Sequence, residues 1–152
     1  MLDITTLAAW GEFLGGIAVI ASLIYLAGQI RMNTKTVRAA NFGDLLTVHS
    51  EFVSITTDPE VASLYLRGLD DYAGLNTADQ MRFNGLMSHM FNAVYRAWNL
   101  HEQGLLDDNM WETHAHAMVA HLGNPGVRQW WEANQHWWHT KFRDCVRELT
   151  AA

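Results

Sequence analysis

Cysteine, proline and charge are all scarce in this chain. A single cysteine, Cys145, among 152 residues excludes an internal disulfide framework and every zinc motif built on several cysteines. Charged side chains make up 17% of the sequence, below the usual quarter, so little surface is marked as plainly solvated. Ten Lys and Arg against 16 Asp and Glu leave a net charge of −6, which argues against a nucleic-acid binder held by phosphate neutralisation. Gly-x-Ser-x-Gly, a Walker loop, a dinucleotide-binding fingerprint and His-Glu-x-x-His are all missing. No strand-like alternation of useful length follows residue 30, and there is no internal repeat or low-complexity linker. The length suits one compact domain and is too short for two full ones.

What the chain does have is a long apolar run. Glu12 is the one charge in residues 4–30, and residues 13–30 form an uncharged stretch of 18. As a helix that stretch is roughly 27 Å long, close to the hydrocarbon thickness of a bilayer. Phe13, Leu14, Ile17, Val19, Ile20, Leu23, Ile24 and Leu26 point all round such a helix, so no polar face is left for water. A cleavable signal peptide fits poorly, because the first residues carry Asp3 and no base, and no small-residue cleavage site stands out. A transmembrane helix is expected. Arg31, Lys35 and Arg38 follow it, whereas Asp3 and Glu12 precede it. Positive residues stay in the cytoplasm, so residues 1–32 are read as a membrane helix with a short outer N-terminus and residues 33–152 as the cytoplasmic part. The expected location is a bacterial inner membrane, with membrane lipids as partners. Residues 39–152 carry 7 basic and 14 acidic side chains, a balance of −7, so the basic collar favours anionic headgroups while the body is held off them.

Small and polar residues mark one stripe of the span. Gly11, Gly15, Ala18, Ser22, Tyr25 and Gln29 are spaced by alternate steps of four and three, and Gly11 and Gly15 make a GxxxG pair. Such residues let helix backbones approach in lipid, and Ser22, Tyr25 or Gln29 can hydrogen-bond across the contact. The stripe is expected to be a helix–helix seam, with a second copy or with a larger integral membrane complex. Glu12 is costly if deep and hydrated if near the interface; pairing with a partner's base or with a proton stays open.

The rest reads as helices, giving an all-α chain: one transmembrane helix followed by a small cytoplasmic helical bundle. Residues 33–52 continue helically, with Val37, Phe42, Leu45, Leu46, Val48 and Phe52 mostly on one side. Asp58-Pro59-Glu60 starts a short helix ending near Asp70-Asp71. Thr77 and Gln80 suggest a capping box for the next, whose core stripe is expected at Met81, Leu86, Met90, Val94, Ala97 and Trp98, with Gly104 as its stop. Asp107-Asp108 opens a helix through Trp111, Met118 and Leu122 to Gly123, and Asn124-Pro125 opens a last one running to about Leu149. Short loops imply antiparallel neighbours.

At this point the chain resembles a family of uncharacterised bacterial proteins. The resemblance rests on Gln29-Ile30-Arg31-Met32-Asn33-Thr34, on Asp58-Pro59-Glu60 leading to Arg67-Gly68-Leu69, on Gly104-Leu105-Leu106-Asp107, and on Asn124-Pro125-Gly126 leading to Trp130-Trp131. It implies one membrane helix plus a small helical domain, and it carries no activity, so no catalytic residue is transferred.

Eight histidines invite a metal or haem reading. On one helix His114 and His116 differ by about 200° and point apart, while His114 and His121 are about 10 Å apart along the axis, too far for one ion. His136 and His139 are three apart and can meet a ligand such as His89 or His101. No Glu-x-x-His pair signals a di-iron bundle. Cys145 sits among acidic and apolar neighbours, which raises a thiol pKa instead of activating it. No cofactor and no enzymatic activity are expected.

Seven tryptophans are a heavy load for this length. Trp130, Trp131, Trp137 and Trp138 repeat at a spacing of seven with Phe142 beyond them, an arc that either packs on Phe83, Phe91 and Trp98 or, with Trp111, is partly exposed to grip a partner or the membrane interface. Trp98, Trp131 and Trp138 are the expected core members, the last two in line with Phe142, Cys145 and Leu149. Trp130 and Trp137 share a second stripe with Val127 and Lys141 and are expected to be an outward, partner-binding anchor. The function these features point to is a non-enzymatic assembly or accessory subunit in the membrane, acting by self-association or attachment to a larger complex. The alternative is a membrane-tethered ligand-, metal- or haem-binding protein or enzyme using the His- and Trp-rich bundle.

Overall fold

The structure, a computed structural model, describes residues 3–151. Met1 and Leu2, at the start of the expected outer segment, lie outside the described residues. Among the described residues there are six α-helices and no strand. They run α1 (Ile4–Thr56), α2 (Pro59–Asp70), α3 (Thr77–Glu102), α4 (Asp108–Leu122), α5 (Pro125–Asn134) and α6 (Thr140–Ala151), with one 3-10 turn at Gln135–Trp137 before α6. The chain forms two compact units, Met1–Ala39 and Ala40–Ala152, and α1 contributes to both.

In the first unit α1 stands as a bare helix. Its hydroxyls return to their own backbone, Ser22 donating to the Ala18 carbonyl at 2.8 Å and Thr34 to that of Ile30 at 3.0 Å. The absence of proline from residues 4–56 lets one helix continue through the end of the apolar run and the basic collar.

The second unit is a bundle arranged around α3. Phe83, Met87, Phe91, Val94 and Trp98 recur every three or four residues along α3 and are all buried. Leu64 of α2, Met118 and Leu122 of α4, Val127, Trp130 and Trp131 of α5, and Phe142 and Val146 of α6 close on that stripe. The expected stripe was partly misplaced: Leu86, Val94, Ala97 and Trp98 are buried, but Met81 is 76% exposed. Met81 precedes Phe83 by two residues, which on a helix turns it to the opposite side. In the α1 segment of this unit Leu45 is buried and Phe52 packs on the core, while Phe42 and Leu46 remain exposed.

Local capping explains the starts of α2, α3 and α4 and the end of α3. Asp58 accepts from the Glu60 and Val61 amides ahead of Pro59, and Asp107 accepts from the Met110 amide. The cap of α3 is Asn76 in place of the expected Thr77 box; its amide oxygen accepts from the Asp79 N–H at 2.9 Å. Asp79 in turn pairs with Arg67 of α2 at 3.0 Å, so one cap also ties two helices together. α3 stops at Gly104, whose φ of +67° is the left-handed turn glycine permits; Gly104 and Leu105 N–H groups close back on the His101 and Leu100 carbonyls.

The last expected helix is instead two. α5 ends at Asn134, a 3-10 turn follows, and Trp138 is extended at φ −107°, ψ 155° before α6 begins. Asn134 is buried and its side-chain amide donates to the Trp130 carbonyl, while His139 Nδ1 accepts from the Lys141 N–H at the start of α6. Those side-chain bonds to backbone flank the break, and Asn134 and His136 are weaker helix formers than the residues on either side.

Candidate functional site

Two features of the structure bear on function: the face of α1 in the first unit and the aromatic and histidine clusters of the bundle. Along α1, Phe13, Leu14, Ile17, Val19, Ile20, Leu23, Ile24, Leu26 and Ile30 are each between 49% and 68% exposed. A water-soluble unit does not leave so many large apolar side chains uncovered on every side of a helix. α1 is the one helix among the described residues long and apolar enough to cross a membrane. Gly11, Gly15, Ala18, Ser22, Tyr25 and Gln29 are all exposed, and a Cβ placed on Gly11 or Gly15 meets nothing within 4 Å. Gln29 Nε2 donates to the Tyr25 hydroxyl at 2.7 Å, so these polar groups are satisfied within the helix and retain capacity for a second bond.

The tryptophans fall differently from the expected two stripes. Trp130 is 0% exposed: its ring lies 5.0 Å from Phe91 and its indole N–H donates to Asn84 Oδ1 at 2.9 Å. The expectation of an outward Trp130 is therefore corrected. Trp138 repeats the device one layer on, with its N–H on Asn92 Oδ1 at 3.2 Å, and Trp131 stacks on Phe91 at 4.9 Å. Trp98, Trp131 and Trp138 are buried as expected. Trp137 is 52% exposed, held at its edge by Trp130 at 6.4 Å and by Trp138 at 5.9 Å. The break after Asn134 rotates Trp137 out of the α5 register, so the seven-residue spacing no longer puts it on the Trp130 stripe. The indole N–H groups of Trp130 and Trp138 each find an asparagine of α3, which satisfies the polar end of two rings packed inside the bundle.

The histidines gather where the α1 end, α3 and α4 meet. His49, His89, His114 and His121 line a cavity of about 210 Å³ together with Phe52 and Met118. His114 Nδ1–H donates to the Met110 carbonyl at 2.8 Å, and His121 Nδ1–H to that of Ala117 at 2.7 Å. Since a carbonyl only accepts, neutral His121 must carry its proton on Nδ1, leaving Nε2 to accept from the Tyr65 hydroxyl at 2.9 Å. Burial raises the Tyr65 pKa, which keeps that hydroxyl a donor. His89 donates to the Val48 carbonyl at 3.3 Å and stacks on Phe52. His89 and His121 thus tie helix to helix, whereas the His114 bond stays within α4. Among the described residues no group of three or more His, Cys, Asp or Glu is placed to hold a metal ion, and His136 and His139 are not brought into one with His89 or His101. His101 instead bonds Asp108 at 3.1 Å, and His139 starts α6. The spacing of His114 and His121 signalled a shared stripe, but the pairing with His49 and His89 depends on helix packing and had no sequence signature.

Cys145 is half-buried, and burial first, then the charges of Glu148 and Glu102, push its thiol pKa up. That agrees with the expectation of a thiol that is not activated. No protein-family description, curated protein or solved structure matches the chain.

Proposed function

We propose that the protein is a single-span membrane protein of a bacterial inner membrane, serving as a non-enzymatic assembly or accessory subunit. The observation that carries this reading is the uncharged run of residues 13–30, with large apolar side chains exposed on every side of α1. Lipid is the environment in which such a helix costs least. The Arg31, Lys35 and Arg38 collar orients the N-terminus outward and the bundle into the cytoplasm. Gly11, Gly15, Ala18, Ser22, Tyr25 and Gln29 form the seam against a second copy or another membrane helix. Exposed Trp137 supplies the bundle with an aromatic anchor for the same assembly, whereas Trp130 belongs to the core beneath it.

Topology is checked by cysteine labelling in a Cys145→Ser background. A membrane-impermeant maleimide applied to intact spheroplasts should modify Asp3→Cys and spare Asp71→Cys. Labelling of both positions, or of Asp71→Cys alone, would overturn the orientation.

A further inference from the structure

A cleft on the bundle, away from the histidine cavity, gathers positive charge in an otherwise acidic unit. Residues 39–152 contain seven Lys and Arg, and three of them, Arg128, Arg143 and Arg147, line one open cleft of about 470 Å³ formed by the end of α4 with α5 and α6. Trp131 and Val146 supply apolar wall, and Glu132 is the one acidic residue in the lining. Among the described residues Glu132 forms no ion pair, so it does not neutralise any of the three guanidinium groups by contact.

Each arginine is held differently. Arg128 Nη1 donates to the Leu122 and Gly123 carbonyls at 3.0 and 2.8 Å, which fixes its guanidinium at the C-terminal end of α4. Arg147 pairs with Asp144 at 3.0 Å, and its side chain is 74% exposed. Arg143 is the unusual one. Its Nη2 donates to Thr140 at 3.0 Å, but its Nε–H is buried without an acceptor. Burial of that donor leaves the outer Nη face of the Arg143 guanidinium as the part turned to the cleft lining. Guanidinium groups match planar or tetrahedral oxyanions, and the Trp131 and Val146 wall matches an apolar body attached to one.

We infer that this cleft binds a small organic oxyanion, a carboxylate or phosphate carried on an apolar group. Arg143 and Arg147 take the oxyanion, Arg128 adds to the positive field, and Trp131 packs on the apolar part. This site does not depend on the membrane reading of α1.

The test is isothermal titration of the full chain, in phosphatidylcholine nanodiscs, with phenyl phosphate. Saturable binding is expected, weakening by about tenfold in Arg143→Gln and in Arg147→Gln, the second being an exposed substitution that leaves folding intact. Higher salt should weaken it as well. Neutral benzyl alcohol should bind at least about tenfold more weakly than phenyl phosphate. Displacement of phenyl phosphate by nanodiscs containing phosphatidylglycerol would assign the anion to a lipid headgroup, and lack of displacement to a soluble ligand; both keep the site. No saturable heat up to about 10 mM, equal binding of the neutral alcohol, or undiminished binding in both variants would overturn it.

Discussion

Trp130 and Trp137 show how far one side chain's environment can depart from its spacing. Seven residues separate them, yet one is enclosed by Phe91 and Asn84 and the other is 52% exposed. Trp130→Ala removes a filled volume and strands the Asn84 amide oxygen, so a loss of about 3–5 kcal/mol is expected, comparable with the whole stability of a small domain. Trp137→Ala should change stability by less than about 1 kcal/mol, since about half of the residue is already exposed. Thermal melts of the two variants by circular dichroism check this; equal losses would place Trp137 in the core. Cys145 is a second residue whose surroundings decide its chemistry. With its pKa raised by burial, Glu148 and Glu102, the neutral thiol is the form the fold favours. The resulting stability is fully present below the ordinary thiol value and is lost as pH rises through the raised one. At about pH 8 iodoacetamide should therefore alkylate Cys145 more slowly in the folded than in the urea-unfolded chain. Equal rates would show that the thiol is not shielded.

At the scale of elements, helix starts and stops were legible where a local signal makes them. Asp58-Pro59, Asp107 and Gly104 each act through bonds to residues within a turn, so spacing alone locates them. The end of α5 was not legible, because no glycine or proline marks it; the break is held by Asn134 and His139 bonding to backbone. That break is also why Trp137 does not share the Trp130 stripe; the burial of Trp130 itself comes from the packing of α5 on Phe91 and Asn84. The packing of α5 on α2 was hidden for a related reason. A Cβ on Gly126 would collide with the Gly68 carbonyl, so glycine there sets a backbone approach of α5 to α2, while a Cβ on Gly68 would meet the Phe83 ring of α3; both depend on residues far apart in sequence. For α1 the relevant element is its small-residue seam. Gly15→Leu or Ala18→Leu adds bulk where helices would meet, and should reduce oligomer or complex on native electrophoresis while membrane insertion is unchanged. An unaltered complex in both variants would assign that stripe to lipid.

For the molecule as a whole, composition carried the largest inferences. A shortage of charge, gathered away from residues 13–30, separates an apolar helix from an acidic helical bundle, and both are present in the structure. The arginine cleft was beyond reach of the sequence, since Arg128 is on α5 and Arg143 and Arg147 on α6, and the turn that brings those helices together carries no glycine or proline to mark it. The proposed role rests on assembly, and the mass of the particle tests it most directly. Native mass spectrometry of the protein released from its own membranes in mild detergent should show a multiple of the 17.2 kDa chain, or that chain within a larger complex. A particle of one 17.2 kDa chain with nothing but lipid attached would contradict the assembly role.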